Sequence, residues 1–274
     1  MAPIHFDFHY LKNGMKQMKR YPIVVIAAAL AMVLMVSACS QKSAPAANRQ
    51  QAEAIRELGE AYMAEGNYAM ALRELLRAKE LSPNDPYLHN SLGLTYMARG
   101  RHQTAVSHFK RAVELNPNYA PAKNNLGSAY ISMEEWGKAI DAFESVKDDL
   151  LYATPYYPLS NLGYVHYRMG EYEEAKRYYR EALDMERWFP RALHGLGLVA
   201  LATGDTDEAI RRFEETLEET PNAGHIYMDL ARAYEQRHEY SKALNTYEQA
   251  AAIGRNTRLQ DEAEEAMREL RRRW

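Results

Sequence analysis

The side chains able to do chemistry are few and poorly placed for it. His102 and His108 stand six residues apart, which puts them on different faces of a helix. No zinc-type motif surrounds them, so metal binding is not expected. His89 and His166 fall at helix packing positions and read as core histidines. Glu214, Glu215, Glu218 and Glu219 form a solvated helix face. The chain has no Gly-x-Ser-x-Gly, no glycine-rich phosphate loop and one cysteine, Cys39. A lone cysteine forms no internal disulfide. The residues therefore point away from an enzyme, a cofactor or a small-molecule substrate.

Cys39 has a different use. Lys12, Lys16, Lys19 and Arg20 precede the apolar run Ile23–Val36, too short for a spanning helix of roughly 20 residues. A basic stretch, a short apolar stretch and small residues make a secretory signal over 1–38. The run closes on Leu34-Met35-Val36-Ser37-Ala38-Cys39, which resembles the lipobox of bacterial lipoproteins. That resemblance implies cleavage before Cys39, a diacylglycerol on its sulfur and an acylated amine. Ser40, where an aspartate would imply inner-membrane retention, favours the outer membrane, with the protein facing the periplasm. Residues 39–51 are expected to be a flexible tether, because Ser40–Asn48 lacks large apolar side chains.

Removing 1–38 takes away four basic residues and Asp7, so the formal charge falls from −3 to −6. A mildly acidic chain excludes nucleic acid as a partner, since phosphate binding needs a basic surface.

From residue 52 the sequence repeats. Leu58-Gly59, Leu92-Gly93, Leu126-Gly127, Leu162-Gly163, Leu196-Gly197 and Leu230-Ala231 are spaced 34, 34, 36, 34 and 34 residues apart. Each is followed by a small residue (Ala71, Ala105, Ala139, Ala175, Ala209, Ala243) and then by Leu75, Phe109, Phe143, Tyr179, Phe213 or Tyr247. This resembles the 34-residue tetratricopeptide repeat. It implies an all-α, right-handed superhelical α-solenoid of helix-turn-helix units, each with helices A and B. The repeats are assigned to 52–85, 86–119, 120–153, 156–189, 190–223 and 224–257. Glycine on helix A is expected to face alanine on helix B. Gly66, Gly100, Gly170 and Gly204 are placed at the A–B turns, and Pro83, Pro117 and Pro221 stop helix B. Residues 258–274, with Leu259, Ala263, Ala266 and Leu270 on one face, are read as a capping helix.

In this repeat family the ligand lies along helix A, at positions 5, 9, 12 and 13 of each repeat. Those positions give Asn90, Leu94 and Met97, then Asn124, Ser128 and Ile131. They continue with Ser160, Tyr164, Tyr167 and Arg168, then His194, Leu198 and Leu201. More polar residues, Arg56 and Glu60, and Arg232 and Glu235, stand at the two ends. An apolar, aromatic groove suits a peptide segment of a protein partner. The alternative is that Leu94, Met97, Leu198 and Leu201 only pack the solenoid. A lysine–asparagine–arginine carboxylate clamp, hinted at by Asn90 and Asn124, is rejected because its basic positions are not filled in order. The two-residue slip at 148–158 brings in Tyr152, Tyr156 and Tyr157, expected to form an exposed docking loop.

A lipobox, a short tether, six repeats and a Leu151-Tyr152-x-x-Pro155 break resemble the type IV pilus biogenesis lipoproteins (PilF/PilW and Tgl type). These are pilotins, which help secretin subunits insert and assemble in the outer membrane. The resemblance implies a secretin subunit as partner and a membrane held through the lipid anchor. A periplasmic adaptor for peptidoglycan hydrolases, or for another envelope assembly complex, is the alternative.

Overall fold

The computed structural model describes residues 46–149 and 152–273. The expected signal segment, Cys39 and the first part of the tether lie outside the described residues. Among the described residues there are thirteen helices and no strand. They fall into two compact units divided between Asn84 and Asp85.

The described part of the first unit is one helical hairpin, α1 (described from 46 to 64) and α2 (Tyr68–Leu81). Ala52, Ile55 and Gly59 recur every three or four residues and form the buried stripe of α1, against Ala71, Leu75 and Ala78 of α2. Gly66, at φ 73°, makes the turn, and Asn67 caps α2 by accepting a hydrogen bond from the Met70 amide. Here one expectation is corrected. Positions 46–51 are helical and not part of an unstructured tether. Lack of large apolar residues rules out a core, not a helix: alanine, glutamine and arginine are good helix formers, and Ala52 and Ile55 anchor the turns that follow.

The second unit contains five further hairpins and a final helix. The pairs are α3 (Pro86–Ala98) with α4 (His102–Leu115), α5 (Ala120–Ser132) with α6 (Trp136–Glu144), and α7 (Tyr156–Met169) with α8 (Tyr172–Met185). Then come α9 (Pro190–Thr203) with α10 (Thr206–Glu219), and α11 (Gly224–Gln236) with α12 (Tyr240–Ile253). Prolines at the first turns of α3, α5 and α9 fit helix starts, and Asp85 accepts hydrogen bonds from the amides of Tyr87 and Leu88. Each A helix packs on its own B helix, each B helix on the next A helix, and neighbouring A helices touch. The unit is therefore a solenoid. Its core runs through Leu88, Leu92, Phe109, Phe143, Leu162, Tyr179, Phe213 and Tyr247, all nearly or fully buried.

The glycine of helix A is cut to fit the aromatic ring of helix B more than the alanine. A Cβ at Gly127 would lie 2.5 Å from Cε1 of Phe143, and one at Gly163 would lie 2.7 Å from Cδ1 of Tyr179. At the A–B turns, Gly100, Gly170 and Gly204 have φ between 69° and 84°, as expected of residues that must turn left-handed. The equivalent turns of the third and sixth repeats place Glu134 and His238 in the same region, at φ 56° and 60°.

The slip between the third and fourth repeats shortens a helix. α6 has 9 residues where the other B helices of this unit have 14, and residues 145–148 form turns. Val146 remains buried, so the chain stays pinned to the core before it reaches Pro155 and α7. The last helix, α13 (Arg258–Arg273), buries Ala263 and Leu270, with Leu259 and Ala266 half-buried beside them. Glu264–Arg268 and Glu269–Arg273 stand 3.8 and 3.9 Å apart on its surface. It covers the last hairpin, as its apolar face requires.

Candidate functional site: the helix A face

The polar residues on the A helices are joined from repeat to repeat. The Asn125 amide donates to Oδ1 of Asn90 at 2.9 Å, and the Asn161 amide donates to Oδ1 of Asn124 at 3.2 Å. Arg191 donates to Oδ1 of Asn161 at 3.1 Å. His194 Nε2 lies 2.9 Å from Oδ2 of Asp229, whose other oxygen accepts from Arg232 at 2.8 Å. Bonded in this way, Asn90 is buried and faces its neighbour instead of an open groove; Ser160 is buried completely. An amide oxygen taken out of water must find a donor, and the next A helix supplies it.

The apolar positions divide. Leu94, Met97 and Ile131 are half-buried against one core cluster, and Leu198 and Leu201 against the other. Ile131, Tyr164, His194 and Leu198 also line a common open cavity of about 440 Å³. Ser128, Asn161, Tyr179, Arg191 and Gly195 complete its wall. Leu94, Met97, Tyr167, Arg168 and Leu201 are not part of that wall. Arg168 donates to the Tyr164 hydroxyl at 2.8 Å, and its guanidinium lies 5.2 Å from the centre of the Trp136 ring. The hydrogen bond to Tyr164 holds the guanidinium in its charged form. Tyr167 packs toward Tyr172 at 6.0 Å, and burial pushes its hydroxyl above the ordinary tyrosine range.

The tyrosines of the break are less open than expected. Tyr156 and Tyr157 pack edge-on against Phe189 at 4.9 and 5.1 Å, so they tie the start of the fourth repeat to its last residue, which precedes α9. Tyr152 and Tyr156 are half-buried, and only Tyr157 is exposed. The reason is Phe189, an apolar residue at the repeat junction that gives the rings a surface to cover.

The histidines sort by partner. His89 Nδ1 lies 3.0 Å from His108 Nδ1, and His166 Nδ1 lies 2.6 Å from Glu171. His102 reaches the Met97 sulfur instead, at 3.5 Å. Among the described residues no three His, Cys, Asp or Glu side chains are grouped to hold a metal ion, and no helix is long and apolar enough to cross a membrane. A second open cavity, about 420 Å³, lies beside Leu270 and is lined by charged groups including Arg232, Glu235 and Arg273.

Periodicity alone missed Asn125, Asn161, Arg191, Asp229, Tyr179 and Gly195. Asn125 and Asn161 sit one residue beyond the position read as inward-facing. Gly195 was detectable as a glycine outside the repeat's own glycine position.

The hairpin period and the glycine–aromatic contacts define a tetratricopeptide-repeat protein. Models of that repeat match residues 59–100, 86–119, 160–210 and 200–263, and the chain belongs to this class. Among solved structures, the chain is similar to PilW, described as a widely conserved type IV pilus biogenesis factor. The TM-score is 0.71 at 18% identity, covering 77% of this chain and 96% of PilW. PilF of Pseudomonas aeruginosa matches with TM-score 0.66 and 19% identity, covering 80% of this chain and 99% of PilF. At such identities these likenesses establish the fold. Anaphase-promoting complex subunit 3 of Schizosaccharomyces pombe is 32% identical over 97 residues, which is 35% of this chain and only 15% of that relative's length.

Proposed function

We propose that this protein is a lipid-anchored repeat scaffold of the outer membrane that captures a secretin subunit during type IV pilus biogenesis. The observation that carries the reading is the open, largely apolar cavity on the helix A face, set in a fold that matches nearly the whole of PilW and PilF. A scaffold needs a surface that binds a segment of another chain without chemistry, and this one offers leucine, isoleucine and tyrosine walls with a few hydrogen-bonding groups. The lipobox-like Val36–Cys39 supports the anchor. Two or more acyl chains would hold the protein at the membrane the partner must enter, since each buried CH₂ contributes about 0.8 kcal/mol. Holding subunits there raises their concentration near one another.

The test is capture from detergent-solubilised membranes with the tagged full chain. Wild type should retain the secretin subunit, and Tyr164→Ala with Leu198→Ala should lose most of it while keeping the helical circular dichroism of wild type. Retention of peptidoglycan hydrolases in place of the secretin would replace this reading with the cell-wall adaptor.

A further inference from the structure

Tyr179 stands where the second, third and fifth repeats have phenylalanine. Its side chain is 2% exposed, no hydrogen bond joins its hydroxyl to another described residue, and the hydroxyl is not among the atoms sealed from solvent without a partner. The other deeply buried tyrosines that replace or flank this ring are satisfied: Tyr247 donates to Glu235 at 2.5 Å and Tyr178 to Glu144 at 2.6 Å. Tyr179 instead reaches the cavity wall. It gets there through Gly195. A Cβ at 195 would lie 2.6 Å from Cε2 of the ring and closer still to Cζ, so any other residue would close the gap through which the phenol passes. A phenol added to a core ring, and a glycine added to the facing helix to let it through, bring one hydroxyl to the cavity.

The neighbouring groups have one character. Arg191 spends one nitrogen on Asn161 and lies 5.6 Å from the Tyr157 ring, but it has no carboxylate partner among the described residues. Most other arginines of this unit are paired with glutamate or aspartate. No aspartate or glutamate is among the residues lining the cavity. Burial keeps the Tyr179 phenol protonated, hence a donor at every physiological pH. A half-enclosed site with a guanidinium and a neutral O–H, beside Ile131 and Leu198, lacks the acceptor that would satisfy both.

We infer that this cavity binds a carboxylate of the partner segment next to an apolar side chain, with Tyr179 and Arg191 as its donors. The inference rests on the groove reading above and names the chemistry the groove selects. It differs from the rejected lysine–asparagine–arginine clamp, because both donors lie outside the inward-facing positions. Acidic side chains and chain ends share this chemistry.

The experiment selects binders to the full chain in detergent from a random peptide library displayed with free C-termini. Dissociation constants of the selected peptides are then measured with free and amidated C-termini. Selected sequences should carry an acid or a required free terminus beside a leucine, isoleucine or aromatic residue. Amidation that abolishes binding assigns the chain end, and amidation without effect assigns a side chain. Tyr179→Phe, the residue used at this position in three other repeats, and Arg191→Gln should each weaken binding about tenfold with unchanged melting. Binders lacking any acid, or affinities unchanged in either variant, would overturn the carboxylate site and leave the groove. No binders at all would overturn both.

Discussion

Gly127 of α5 and Phe143 of α6 occupy each other's space: a Cβ on the glycine would stand 2.5 Å from Cε1 and 2.6 Å from Cζ of a ring that is itself fully buried. The hairpin closes because one side chain is missing. Gly127→Leu is therefore expected to destabilise the protein by about 3 kcal/mol or more, since overpacking of a filled core costs about 1–3 kcal/mol even for milder changes. Both neighbouring hairpins pack on this one, so the whole transition should shift to lower temperature. Thermal unfolding followed at the helical band measures it, and an unchanged curve would show that the contact is not tight.

Glu134 and His238 take the backbone conformation that glycine takes in four other A–B turns. A non-glycine residue there costs about 1–2 kcal/mol. Glu134→Gly should therefore stabilise the fold by about 0.5–1 kcal/mol, after subtracting the extra chain entropy that glycine gives the unfolded state and the loss of a 3.6 Å exposed contact to Arg168. Chemical denaturation should show a higher midpoint with the same slope.

Much of this architecture can be read along the sequence, because one hairpin's contacts are local. A glycine and an aromatic residue 16 positions later define the hairpin from Gly127, Phe143 and their equivalents. That residues 46–51 are helical could not be read so, since they carry no apolar stripe to mark it. The site was legible as a face and not as a set of partners. Asn124 looked free because its donor, Asn161, is 37 residues away and depends on the rotation between repeats. Tyr179 looked like another core ring, because its hydroxyl matters only once Gly195 is seen to open the wall beside it.

Cys39 lies outside the described residues, and its role is a prediction from the lipobox-like Val36–Cys39 alone. Cys39→Ala should leave an uncut precursor. Mass spectrometry of the wild-type mature protein should find an acylated cysteine as its first residue; an unmodified Cys39 would contradict the anchor.

The proposed role, bringing secretin subunits together at the outer membrane, can be read by immunoblotting the secretin from unheated membrane samples of a strain lacking this gene. The subunit should stay monomeric there, and multimers should return when the full chain is restored. Secretin multimers at the wild-type level in the deletion strain would contradict it.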